Sequence, residues 1–102
     1  MNDIHPSNQR FVELLNEMYT LSALKQADYG RTTDPFANVR ASEDFGIAGW
    51  IGSVMRMNDK MRRLQAAARG KDLKNESVTD SLMDIAVYAL ISLVLYEEEN
   101  NV

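Results

Sequence analysis

Phe11, Leu14, Leu15, Met18 and Leu21 recur at helical spacing and predict a helix from about Ser7 to Asp28. Tyr29, Gly30 and the polar stretch RTTD end it. Asp34 followed by Pro35 predicts a new start, an N-cap with proline at the first helical position. The short helix it opens, PFANVRASEDF, stops at Gly46. A third helix is expected from about Gly49 to Arg69, with the apolar stripe Trp50, Val54, Met57, Met61 and Leu64 and with Gly70 as its C-terminal stop. A fourth begins near Asn75 to Ser77 and continues to the acidic tail EEENNV. No segment reads as a strand, and there is no internal repeat or low-complexity linker. The expected fold is all-α, a helical bundle of three long helices and one short helix. A flexible N-terminus (1–8) precedes a single domain (9–98), and a C-terminal tail (99–102) follows.

The fourth helix stands apart. Between Leu82 and Tyr96 almost every position is apolar, all the way round. A helix without a polar face is buried on all sides, and three companion helices from one small chain can hardly cover it. A homo-oligomer with this helix at its centre is therefore expected, as a dimer or larger. The apolar run is 15 residues long and contains Asp84, short of the roughly 20 residues a bilayer span needs. The opening MNDIHPSNQR holds no apolar stretch of the kind a secretory signal requires, so a soluble, cytoplasmic protein without membrane contact is expected.

Composition narrows the chemistry. The 102 residues suffice for one small domain, and 45% of them are hydrophobic, as in an ordinary globular protein. The net charge of −4 argues against a broad basic surface for duplex DNA, though not against a local basic site. The chain has no cysteine, which excludes disulfides, zinc–thiolate sites and thiol catalysis. Its one histidine, His5, lies in the expected mobile N-terminus, so neither a His-based triad nor a multi-histidine metal site fits within one chain.

Two aspartates sit at the mouth of the apolar helix. Asp80 has an ordinary explanation, because Ser77-Val-Thr-Asp80 fits a capping box. Asp84 is too deep to cap anything. It either pairs with an arginine or lysine or joins Asp80, one turn away, in offering oxygens to a hard cation such as Mg²⁺. Glu76, Asp80, Asp84, Val87, Tyr88 and Ile91 share one stripe. On the third helix Arg56, Asp59, Lys60 and Arg63 form a polar stripe apart from the apolar one. It is either a solvated face with an Asp59–Arg63 pair or the complement of the carboxylates. In the second case Asp59 adds a metal ligand while Arg56, Lys60 and Arg63 neutralise phosphate oxygens. Glu13 and Glu17 lie off the first helix's apolar stripe and read as solvated; the methionines read as core fillers. Lys25, Asp28 and Tyr29 beside a glycine turn mark a helix end that could meet a ligand.

The ordered set KQADYG, DPFANVRASEDFGI, Trp50, RMNDKMRRL and NESVTDSLMDIAVYALISLVL resembles the phage nucleotide modification associated domain 1 proteins, often described as MazG-like. The resemblance covers about residues 10 to 98. It implies an all-α pyrophosphohydrolase bundle, working as a dimer or tetramer, in which Mg²⁺ (or Mn²⁺) on acidic residues of two helices assists hydrolysis of nucleoside triphosphates between the α- and β-phosphates. Asp80 and Asp84 look like the acidic cluster opening the last core helix, Tyr88 fits the pattern one turn on, and Glu76 can contribute an oxygen. Asp59 is the only acidic residue for the other metal-binding helix, where the enzymes carry a richer E-E-x-x-E cluster. The implied metal set is Asp59, Glu76, Asp80 and Asp84, and the implied catalytic set is Asp59, Lys60 and Asp84. Lys25, Asp28, Tyr29, Asn38, Arg56, Lys60, Arg63 and Tyr88 are nucleotide-contact candidates, with Trp50 available to stack on a base. Two other functions remain open beside hydrolysis. One is a non-catalytic protein that sequesters a nucleotide, including a host immune-signalling nucleotide. The other is a helical interaction module whose aspartates are paired with Arg56 or Arg63.

Overall fold

The computed structural model describes residues 5–29, 35–71 and 77–102, and the side chains of these apart from residues 25–29. Every described element is helical: α1 (Pro6–Tyr29), α2 (Ala37–Arg40), a 3₁₀ helix (Ala41–Phe45), α3 (Gly49–Ala68) and α4 (Val78–Asn100). The chain divides into two units, Met1–Pro35 and Phe36–Val102. In the first, α1 starts at Pro6, so residues 6–8 are helical rather than a loose leader. Leu14 and Met18 are half-buried on its apolar stripe. Glu13 and Glu17 are exposed, as expected, and both hold Arg10, at 3.1 and 3.4 Å.

The second unit is built on α3 and α4, which run antiparallel. The start of α3 meets the end of α4 at Gly49 and Glu99, and its middle meets the start of α4 at Lys60 and Asp84. Small residues let the two backbones approach: Gly49 and Ser53 are buried on α3, Ser81 and Ser92 on α4. The Ser53 and Ser92 hydroxyls both donate to the Tyr88 carbonyl, at 2.9 and 2.7 Å, so these buried donors are satisfied. Among the described residues the buried hydrophobic side chains are Val39 and Leu95, and Leu95 has no exposed surface. Trp50 meets Tyr96 edge to face, 5.4 Å between ring centroids.

The ends of these helices differ from the local reading. Asp34, the expected N-cap, lies outside the described residues. Pro35 sits in the turn before α2 rather than at a first helical position, and the expected short helix is divided into α2 and the 3₁₀ helix. Gly46 closes the 3₁₀ helix with φ 77°, and Gly70 follows α3 with φ 85°, both in the left-handed region glycine adopts without strain. The N-cap of α3, Ala48, has no side-chain oxygen to offer; instead Glu99 Oε1 accepts from the Gly49 N–H at 2.9 Å. A carboxylate there satisfies an orphan donor and complements the helix dipole. Glu98 accepts from Arg40 at 2.9 Å. Residues 99 and 100 thus belong to α4 rather than to a tail.

Gly52 marks the closest approach to the 3₁₀ helix. A Cβ there would lie 2.7 Å from the Ser42 Cβ and 3.2 Å from the Val39 carbonyl oxygen, and would also strike the Ser42 hydroxyl. That hydroxyl donates to the Ile47 and Ala48 carbonyls and cannot swing away freely. Gly52→Ala should therefore cost about 1–3 kcal/mol in urea unfolding, with part of the loss recovered when Ser42→Gly is added.

Candidate functional site

Of the charged groups singled out in the sequence, Lys60 and Asp84 meet where α3 passes the first turns of α4. Ser77 and Asp80 form a complete capping box: the Asp80 N–H donates to Ser77 Oγ at 3.0 Å, and the Ser77 N–H donates to Asp80 Oδ2 at 3.4 Å. One turn deeper, Asp84 Oδ2 is 3.0 Å from Lys60 Nζ. Both side chains are mostly buried, 30% and 19% exposed respectively. Asp84 is thus an ion-pair partner, and the partner is Lys60 rather than Arg56 or Arg63.

The helix geometry explains that choice. Lys60 lies seven residues after buried Ser53, two helical turns along the same face, so it points at α4. Arg56, Asp59 and Arg63 stand to one side of that face and are exposed. The polar stripe of α3 is therefore split, with its lysine in the seam and the others along the rim. Arg56 Nη2 donates to the Asn38 carbonyl at 3.2 Å, which joins two of the nucleotide-contact candidates.

No family model, curated protein or solved structure matches this chain. Function must then be read from the residues themselves.

Lys60 and Asp84 are in contact, Asp80 is one turn from Asp84, and half-buried Tyr88 is one turn further on. Trp50 is not among them. It is ten residues from Lys60, about 15 Å along the helix, and its ring is engaged with Tyr96. Glu76 and the side chains of Lys25, Asp28 and Tyr29 lie outside the described residues. Among the described residues no three acidic or histidine side chains converge as a metal site. Asp80 and Asp84 each use one carboxylate oxygen in the bonds above and have a second, and Mg²⁺ keeps several waters when few ligands are offered.

Glu99, which ties the far end of the same helix pair through the Gly49 N–H, and Glu98, which holds Arg40 of α2, were hidden in what reads as an acidic tail. The serine seam at Ser53 and Ser92 was also missed in the sequence. The seam had a sequence signal: Ser53 and Lys60 share a face with Leu64 and Ala67, both half-buried.

Proposed function

We propose that the chain binds a nucleoside triphosphate beside Lys60 and Asp84 and, with Mg²⁺, hydrolyses it to a nucleoside monophosphate and pyrophosphate. The observation that carries this reading is the Lys60–Asp84 contact between facing helices at 3.0 Å, with Asp80 on the same stripe of α4 and Arg56 and Arg63 on the flank of Lys60. An ammonium and a carboxylate that hold each other in the resting chain are matched to a phosphate–metal pair. Phosphate oxygens would take the ammonium, and Asp84 with Asp80 would then be released to hold the cation. Lys60, Arg56 and Arg63 would counter the charge that builds on the transferred phosphoryl group. Mg²⁺ held there would polarise a phosphoryl oxygen and orient the attacking water.

The same contact favours a second reading, in which the nucleotide is held and not cut. Asp84 enters its pair at the cost of metal-ligating capacity, and Asp59, the one carboxylate of the α3 stripe, is exposed on the rim. Incubation of the purified chain with each ribo- and deoxyribonucleoside triphosphate plus Mg²⁺ separates the two. Pyrophosphate release from at least one of them is the expected result, in step with disappearance of that nucleotide. A nucleotide retained by the chain and recovered intact after denaturation would establish holding instead. If nothing is bound or cut, the ion pair serves the fold alone.

A further inference from the structure

We propose that the Lys60–Asp84 ion pair is a lock: it keeps free divalent cation off the site and opens only to a cation that arrives with polyphosphate. The inference rests on the nucleotide reading and concerns how that same site is regulated. Asp84 Oδ2 lies 3.0 Å from Lys60 Nζ, and both side chains are mostly buried. A cation taken by the same carboxylate would stand beside that ammonium, with little water between them to screen the repulsion. Asp84 therefore serves Lys60 or a metal, and not both at once.

The second carboxylate sets no such barrier. Asp80 is exposed and engaged with the cap of its own helix, where Oδ2 accepts from the Ser77 N–H at a long 3.4 Å. The barrier thus lies at one residue of α4, and it is imposed from α3. Lys60 approaches along the face of buried Ser53, two turns before it. Arg56 and Arg63 flank it on the exposed rim, with Asp59 as the one acid of the stripe. An arriving polyphosphate therefore meets three basic residues whose charge its oxygens can take up.

Polyphosphate undoes the lock because it supplies what Lys60 gives up. Its oxygens accept from the ammonium. They also complete the coordination of Mg²⁺, which is ordinarily held by one or two carboxylates together with substrate phosphates. Two carboxylates are what this end of α4 offers, since among the described residues no third acid or histidine joins Asp80 and Asp84. Metal and triphosphate should then raise each other's affinity by the same factor, as linkage requires.

Mn²⁺, a paramagnetic substitute for Mg²⁺, tests the lock on the full chain, with inorganic triphosphate as a probe free of any base. Alone, Mn²⁺ should leave the wild-type Tm unchanged; with triphosphate it should raise Tm by more than the two do separately. Lys60→Met should bind Mn²⁺ without triphosphate at least about tenfold more tightly than the wild type, by electron paramagnetic resonance. Adding Asp84→Asn should abolish that gain, which ties it to this carboxylate. Circular dichroism checks that both variants are folded, and the wild-type Tm comparison decides the matter if they are not. Mn²⁺ bound as tightly by the wild type as by Lys60→Met, or a wild-type Tm raised by Mn²⁺ alone, would overturn the lock while nucleotide binding persists. A gain in Lys60→Met with no nucleoside triphosphate bound or cut by the wild type would instead remove the nucleotide reading, and the opening step with it.

Discussion

Leu95→Ala should destabilise the chain by about 3 kcal/mol, within the 2–5 kcal/mol that buried leucine truncations cost. Leu95 has no exposed surface, and Val39 is the only other buried hydrophobic side chain among the described residues. It lies where α4 closes on the start of α3: its Cδ1 would be 3.5 Å from a Cβ at Gly49, and the Trp50–Tyr96 ring contact and the Glu99–Gly49 hydrogen bond flank it. A cavity there cannot collapse easily, because the backbones on both sides are already close. In a chain whose whole stability is of order 5–15 kcal/mol, the loss is large and should appear as a drop in Tm of more than about 10 °C. Thermal and urea unfolding followed by circular dichroism measure it. A cost below about 1 kcal/mol would show that the end of α4 is not docked on α3 as described.

The helices and several of their ends could be read from local signals, because those signals are local chemistry. Ser77-Val-Thr-Asp80 caps α4 as its spacing says, Gly70 follows α3, and the apolar stripe of α3 lies on a real helix. Periodicity stops at the single helix, however. It places Arg56, Asp59, Lys60 and Arg63 on one side of α3 without saying which of them meets a neighbour. That is decided by Gly49 and Ser53, which are small where α3 faces α4 and let it close on Lys60. The serines of the seam look polar in sequence and are buried because the Tyr88 carbonyl receives their hydroxyls. Glu99 looks like tail because the amide it caps is 50 residues away. Trp50 is taken by Tyr96 for the same reason, a partner distant in sequence. The apolar character of α4 on every side was legible, and within one chain α3 covers only part of it.

Asp84→Asn should cost about 1–3 kcal/mol of stability. Lys60 Nζ, 3.0 Å from Asp84 and on a side chain only 19% exposed, would keep its charge and lose the Asp84 carboxylate. Breaking a buried pair from one side is costly because the remaining charge stays desolvated. Lys60→Met should cost less, since Asp84 is the more exposed of the two and can turn toward water. The double variant should regain much of the loss, giving a coupling of about 1 kcal/mol or more in a double-mutant cycle. A neutral or stabilising Asp84→Asn would instead mean that Asp80 and Asp84 repel across an open site. Nucleotide binding then separates fold from function. If Lys60 neutralises phosphate, the double variant should fold nearly as well as the wild type and still bind triphosphate at least about tenfold more weakly, because a charge-assisted contact contributes roughly 1.5–3 kcal/mol. Equal affinity in the two proteins would assign the ion pair to the architecture of α3 and α4, and remove Lys60 from the binding site.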